Sequence, residues 1–348
     1  MSDPLGSLRD HHRRAVRRHG PIRTGHTRLL CERAQRMKKV VVTGGFGFVG
    51  SRLVRHLRAK GTEVVVLEHP AAAAPADLVD VQVLRGDITD EESLARAKIS
   101  HVDAVLHLAA QSSGPRSFSV PVLDVRLNIL GTLNTINWCL GNSIDRLLFA
   151  SSFVVYGDHP EREALAEDVA CHPKSVYATS KLACEHLLAN YAQPKGVRWS
   201  ALRMFNVYGP GQDITKSDQG VVGIFMNMLR QRDVVEVKGR LDRFRDLIYI
   251  DDVIQGWELC LQGAAYNQAF NLGTGQRTTF DLLIGSLATV MGKGSGFRIE
   301  ETPGTPGDMK GCVADLTRIT AALGYAPRIP LTDGLQRMWS WVSADAKI

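Results

Sequence analysis

From residue 38 onward the chain alternates short apolar runs with longer amphipathic stretches. Lys39–Thr43 (KVVVT), Glu63–Leu67 (EVVVL), Val81–Leu84, Asp103–His107 (DAVLH), Arg146–Ala150 (RLLFA) and Arg198–Leu202 read as strands. Phe48–Lys60, Val122–Leu140 and Ser175–Tyr191 carry apolar residues at helical spacing. Continuously apolar strands that alternate with helices predict a parallel sheet covered on both faces. The expected fold is therefore α/β, a Rossmann-type doubly wound parallel sheet with a smaller C-terminal α/β domain.

The texture changes after Asn206. Tyr208-Gly209-Pro210-Gly211-Gln212 opens a region of shorter elements broken by Gly and Pro up to Pro330. Within it, Asp246–Gly273 reads as strand, helix and strand, and part of it is expected to return to the first domain. The expected division is a tail over 1–36, a nucleotide-binding domain over 37–206 with part of 246–273, and a second domain over 207–245 and 274–348. Ala71–Ala76 is a low-complexity loop after the second strand.

Charge changes the picture at one end only. The 348 residues carry a net charge of +6. Residues 1–36 hold Arg9, Arg13, Arg14, Arg17, Arg18, Arg23, Arg28, Arg33 and Arg36 against Asp3, Asp10 and Glu32, and account for all of it. The remainder is neutral, so the basic balance gives no argument for nucleic-acid binding. The segment 1–36 has little apolar periodicity and is expected to be a disordered leader. No apolar run reaches the roughly 18 residues of a membrane span, and no membrane partner is expected. Cysteines at 31, 139, 171, 184, 260 and 312 form neither C-x-x-C nor a zinc spacing. Reduced thiols, a cytoplasmic location and no metal are expected.

Thr43-Gly44-Gly45-Phe46-Gly47-Phe48-Val49-Gly50 joins the first strand to the first helix and places glycines at 44, 47 and 50. Such glycines make the tight turn, admit a pyrophosphate and let helix and strand pack closely. The exposed N–H groups of the helix start suit phosphate. Glu68 ends the second strand, where a carboxylate accepts from ribose hydroxyls and repels a 2′-phosphate, which favours NAD over NADP. Asp87 and Ile88 follow the third strand and are placed against the adenine. Leu108, Ala109 and Ala110 follow the fourth, where small residues let a cofactor lie close. His107 reads as a packed strand residue.

Tyr177-Ala178-Thr179-Ser180-Lys181 sets a phenol and an ammonium four residues apart on one helix face. The ammonium is expected to lower the tyrosine pKa and make Tyr177 a general base. Ser152 lies at the carboxyl end of the fifth strand, the edge where ligands of such sheets bind.

Eight stretches in this order, TGGFGFVG (43–50), GDITD (86–90), HLAAQ (107–111), SSFVVYGD (151–158), YATSK (177–181), LRMFNVYGPGQD (202–213), RDLIYIDDV (245–253) and FNLGTG (270–275), resemble the extended short-chain dehydrogenase/reductases. Within that family the chain resembles the NAD-dependent nucleotide-sugar 4-epimerases over about residues 38–345. The resemblance implies a UDP-sugar substrate, tightly bound NAD and a homodimer built from the helices around 122–140 and 177–191. It implies that Ser152 bonds the reacting sugar hydroxyl, Tyr177 removes its proton, and Lys181 holds the nicotinamide ribose. It adds Gly44, Gly47, Phe48, Val49, Asn128 and Phe205 to the cofactor site. It adds Arg116, Asn206, Val222, Arg245 and Asp308 to the substrate site.

Related 4,6-dehydratases and decarboxylases resemble this chain but carry a carboxylate just after the Ser152 position. Here Phe153-Val154 follow, so elimination lacks a proton carrier. That leaves epimerisation at C4. Arg116, in the loop after the fourth strand, could meet a C6 carboxylate, be a surface arginine or contact a cofactor phosphate; the balance leans to UDP-glucuronate/UDP-galacturonate, with UDP-glucose/UDP-galactose next. The alternatives are an NAD(P)H-dependent reductase of a 4-keto nucleotide sugar and a non-catalytic NAD-binding regulator. Where the family carries Arg-x-Gly-Asp, this chain has Thr305-Pro306-Gly307-Asp308, so a substrate phosphate contact falls to Arg245 or Arg243.

Overall fold

Seven strands, β1 (Lys39–Thr43), β2 (Glu63–Glu68), β3 (Gln82–Arg85), β4 (Ala104–His107), β5 (Arg146–Ser152), β6 (Arg198–Met204) and β7 (Gln268–Leu272), form one sheet in the order β7-β6-β5-β4-β1-β2-β3. Every adjacent pair is parallel. The computed structural model describes residues 38–304, 307 and 309–345. The Arg-rich segment 1–36 expected to be a leader, and Thr305, Pro306 and the expected substrate residue Asp308, lie outside these residues.

Val40, Val41 and Val42 of β1 are fully buried, as befits a central strand covered on both faces. Strand order reverses about β1, whose neighbours β2 and β4 lead away in opposite directions. The carboxyl end between β1 and β4 is therefore the switch point at which such sheets leave a crevice.

The helices are α1 (Phe48–Ala59), α2 (Gly131–Gly141), α3 (Val176–Leu187), α4 (Val221–Gln231), α5 (Ile250–Gln262), α6 (Phe280–Val290) and α7 (Leu331–Asp345). One core layer joins α1 and α5 to the sheet through Leu53, Val54, Ile254 and Trp257. The other joins α2 and α3 to the opposite face through Ile136, Cys139, Cys184 and Leu188. A third core unites α4, α6 and α7 through Phe225, Met226, Leu283, Ile284 and Met338.

The helix predicted over Val122–Leu140 is interrupted. It begins as Pro121–Val125, passes through a π turn at Arg126–Leu130 and continues as α2. The inserted residue turns Asn128 inward, where its side chain and carbonyl are both taken up by neighbouring elements. A second π turn, Leu188–Ala192, continues α3.

Short pairs carry the chain away from the sheet: Asn206–Tyr208 with Leu247–Tyr249, Val234–Lys238 with Arg298–Thr302, Phe244–Arg245 with Thr278–Thr279, and Ala164–Leu165 with Val313–Ala314. The fully buried Asp246 ties several of them together. Its carboxylate accepts from Thr274 N and Oγ1, Gly275 N and Ala314 N at 2.6–3.0 Å. Gly273 has no room for a side chain beside it, since a Cβ would stand 2.6 Å from Asp246 Oδ2.

Candidate active site

The turn after β1 is shaped by what lies against it. Gly44 has φ +66°, and a Cβ there would meet Ala109 N at 2.7 Å. A Cβ on Gly50 would stand 2.2 Å from the Gly44 carbonyl. The turn therefore folds flat on the β4 edge and opens into a cleft lined by Gly44, Gly47, Glu68, Asp87, Ile88, Leu108, Ala109 and Ala110. Phe46 N donates to Glu68 Oε2 at 3.2 Å, so the strand-end carboxylate is held at the rim of the turn. Asp87 is oriented by Thr89, whose N–H and hydroxyl both donate to Oδ1. The glycine turn at a helix start, a carboxylate at the end of β2 and small residues along β4 together fit a dinucleotide.

Thr43 fixes the β4 edge. Its Oγ1 accepts from Leu108 N and Ala109 N, and its own hydrogen goes to His107 Nδ1 at 2.7 Å. The other ring nitrogen of His107 then donates to Thr132 Oγ1 at 3.1 Å. Burial, with the Lys181 charge adding to it, pulls His107 down to about 3, so it stays neutral. It is a packed structural residue.

β5 and α3 bring the reactive groups together. The Ser152 and Tyr177 side chains are hydrogen-bonded, 25 residues apart in sequence. Ser175 caps the helix through Ala178 N at 3.1 Å, which sets Tyr177 in the first turn. Lys181 is 3% exposed, its Nζ donates to Ala150 O at 2.8 Å, and it stands 5.9 Å from the Tyr177 ring centroid. Burial lowers Lys181 to about 8, against the upward pull of Cys184, Asp124 and Glu185.

The expected lowering of Tyr177 by Lys181 is corrected here. Burial pushes the phenol up to about 12; only the Ser152 hydrogen bond draws it down, while Asp124 and Cys184 push it further up. The ammonium is directed at the Ala150 carbonyl and sits over the face of the Phe149 ring, 4.8 Å from its centroid.

The sequence profile of the NAD dependent epimerase/dehydratase family matches residues 40–273. A UDP-glucose 4-epimerase of Mycolicibacterium smegmatis is 30% identical over 306 residues, covering 86% of this chain and 96% of its own. UDP-glucuronate 4-epimerase 1 of Arabidopsis thaliana is 30% identical over 332 residues, covering 87% of this chain and 76% of its own. The crystal structure of Thermus thermophilus UDP-glucose 4-epimerase in complex with NAD is 34% identical, with TM-score 0.78, over 88% of this chain and 99% of that one.

The chain belongs to the NAD dependent epimerase/dehydratase family.

The remaining positions assigned by resemblance to this epimerase/dehydratase fold are spread more widely. Phe48 and Val49 open α1 and are partly buried. Asn128 is buried, and its side chain accepts from Gln111 N and donates to Gln111 O and Ser180 Oγ at 2.9–3.1 Å. It ties the loop after β4 to α3. Phe205 is 2% exposed and stacks on Phe153 at 5.2 Å. Asn206 donates to Asp246 O. Val222 is buried in the core of α4. Arg245 is buried, donates to Phe244 O and Met309 O, and lies over Phe280 at 5.3 Å beside Arg243 at 5.0 Å. Arg116 is exposed on the short helix Gly114–Ser119. That loop is stitched to the segment before α4 by Ser112–Gln219 and Ser113–Asp218 hydrogen bonds at 3.4 and 3.1 Å.

Several residues of the site escape a reading by motif. Phe46, His69, Ala72 and Ala73 line the cofactor cleft. The last two lie in the alanine run, which reads as a featureless loop. Gln111, Asp124, Glu185 and Arg203 are buried polar residues, each with a partner 13 or more residues away in sequence. Among the described residues no group of His, Cys, Asp and Glu is arranged to hold a metal.

Proposed function

We propose that the chain is a UDP-sugar 4-epimerase that inverts C4 through a 4-keto sugar. The observation that carries this is the Ser152–Tyr177 hydrogen bond with Lys181 behind it, set beside the glycine cleft, with Phe153 and Val154 where elimination would need an acid.

NAD, which Gly44, Gly47, Phe48, Val49 and Glu68 would hold in that cleft, would supply a hydride acceptor and donor for C4. The chain's part is to hold the hydroxyl and handle its proton. Ser152 orients the C4 hydroxyl toward Tyr177 Oη, which removes the proton on oxidation and gives it back on reduction. Lys181, 5.9 Å from the centroid of the Tyr177 ring, supplies a donor to the nicotinamide ribose. Gly44, Gly47, Phe48 and Val49 receive the pyrophosphate, Glu68 the adenosine ribose, and Asp87 and Ile88 the adenine. Asn206, Val222, Arg245 and Asp308 serve the nucleotide diphosphate and base, so residues 207–245 and 274–348 act as the substrate domain. The guanidinium of Arg245 suits the diphosphate.

For the sugar, the reading is UDP-glucuronate/UDP-galacturonate. Its support is Arg116, whose guanidinium has no side-chain partner among the described residues and rides on the loop stitched across to Gln219. UDP-glucose/UDP-galactose is the second reading, favoured by the relatives of that name. The test is proton NMR of purified protein with no added NAD and each UDP-sugar in turn. Appearance of the C4 epimer identifies the substrate and shows resident cofactor. No product from any sugar, with NAD supplied, refutes the reading.

A homodimer is proposed from Phe118, Val122, Leu123, Val125 and Leu130, which are exposed in a single stretch on the helices leading into α2. Sedimentation at micromolar concentration tests it, with Val122→Glu expected to give monomer. Free Cys139, Cys171, Cys184, Cys260 and Cys312 support a reducing, cytoplasmic setting.

A further inference from the structure

Two buried carboxylates lie at the catalytic helix, Glu185 on α3 itself and Asp124 on a helix packed against it, and they differ in how their charge is balanced. Glu185 is paired with Arg203 at 2.7 Å. Asp124 has no such partner. It lies on the short helix Pro121–Val125, packed against α3, and is 0% exposed. Its Oδ2 accepts one neutral hydrogen bond, from Gln111 Nε2 at 2.8 Å. Its Oδ1 is buried with no hydrogen-bond partner. No cation is within ion-pair distance of it among the described residues, and Arg116 and Arg126 on the adjoining turns are exposed. The groups it acts on across the helix interface are Tyr177, Lys181 and Cys184, with the paired Glu185 one turn further and neutral His107 on β4 beyond Lys181.

A fully buried carboxylate with a bare oxygen is a costly arrangement. It persists where a nearby opposite charge offsets it. The ammonium of Lys181 is the other charge buried in this space without a carboxylate in contact, since Nζ is bonded to the Ala150 carbonyl.

We propose that Asp124, held by Gln111, is a positioning residue that serves as the counter-charge of Lys181 and so sets the proton affinity of the Tyr177–Lys181 pair. The proposal rests on the epimerase reading for its catalytic meaning, but not for its electrostatics. A negative charge at this place favours the protonated form of both groups. It keeps Lys181 charged at neutral pH, and it restrains Tyr177 from ionising until substrate and cofactor are in place. Gln111 directly follows the Leu108-Ala109-Ala110 edge and also bonds Ser113 N and O. The counter-charge is thereby tied to the loop after β4 that borders the cleft.

The test uses the full chain with lysine labelled at 13Cε, followed by NMR from pH 6 to 11. The Lys181 signal is identified by its loss in Lys181→Met. In Asp124→Asn its midpoint is expected about one pH unit below that of the wild type. In Gln111→Glu/Asp124→Asn, which moves the carboxylate one residue across the same contact, the midpoint is expected to return to the wild-type value. An unmoved midpoint in Asp124→Asn overturns the proposal. If that variant does not fold, a midpoint in the double variant well below wild type does so instead. Where turnover is measurable, both limbs of the kcat profile should move toward acid together, whereas a merely structural role lowers kcat and leaves the limbs in place. Absence of wild-type turnover on every UDP-sugar would refute the epimerase reading and leave the lysine titration to decide this one.

Discussion

Glu185 and Arg203 face each other between α3 and the sheet with Nη2–Oε2 at 2.7 Å and Nε–Oε1 at 3.0 Å, both side chains less than a tenth exposed. The pair reaches the active site through Ser151, the residue before Ser152, whose Oγ donates to Glu185 Oε1 at 2.5 Å. On its other side Arg203 donates to Tyr156 Oη, which donates in turn to Asn271 on β7. The helix carrying Tyr177 and the strand end carrying Ser152 are thus bolted to one buried ion pair.

Glu185→Gln leaves Arg203 buried without its counter-charge, and it should lose about 3 kcal/mol of stability in urea unfolding. Arg203→Met should cost a similar amount. The double variant should be less destabilised than the sum of the two, because no unpaired charge remains. Strict additivity would show that the pair is not coupled.

Removing the phenol tests the proton transfer. Tyr177→Phe should reduce kcat about a thousandfold while the variant still retains NAD, read as released nucleotide after denaturation. A variant within tenfold of wild type would remove Tyr177 from its assigned role.

The glycine turn is tested by cofactor content. Gly50→Ala forces a methyl to 2.2 Å from the Gly44 carbonyl, so the turn must open. The purified variant should carry little NAD and melt several degrees lower. Glu68→Ala should weaken NAD retention with little change in melting.

His107 gives a pH dependence of stability with a definite sign. Its folded pKa, about 3, lies below the ordinary 6.5. Between those values the unfolded chain binds a proton that the folded chain refuses. Stability from this group is therefore full above about 6.5 and is lost as pH falls toward 3, at about 1.4 kcal/mol per pH unit. His107→Gln should flatten the acid limb of an unfolding-midpoint curve measured from pH 7 to 4. Lys181 acts on activity at the other end: with its pKa near 8, kcat/KM should decline above about pH 8 as the ammonium is lost.

Arg116 decides between sugars. Arg116→Ala should raise KM for UDP-glucuronate tenfold or more, about the size of a charge-assisted hydrogen bond, and leave UDP-glucose kinetics within twofold. Equal effects on both sugars would assign Arg116 elsewhere.

The sheet and its helices were legible because burial on both faces writes itself as unbroken apolar runs, as in Val40–Val42 and Val64–Leu67. β5 and β6 run two residues beyond their predicted ends, through Ser151, Ser152, Arg203 and Met204. The polar Ser151 and Arg203 looked like strand ends, but their side chains are buried against Glu185 and the ladder continues beneath them. The π turn at Arg126–Leu130 was not legible in the periodicity, since the exposed apolar Val122, Leu123, Val125 and Leu130 around it blur the stripe whose phase one extra residue shifts by about 100°.

By itself the sequence determined the order of strands and helices, the glycine turn, Glu68 at the end of β2 and the Ser152–Tyr177–Lys181 set, because each is a local pattern or a short spacing along one element. Tertiary structure alone decided which way the charges act. Lys181 is aimed at a backbone carbonyl, Tyr177 is pushed up by burial, and Asp124 and Glu185, on two different helices, have unequal partners. Proton affinities depend on desolvation and on distances between groups far apart in the chain, and neither quantity exists until the helices pack on the sheet.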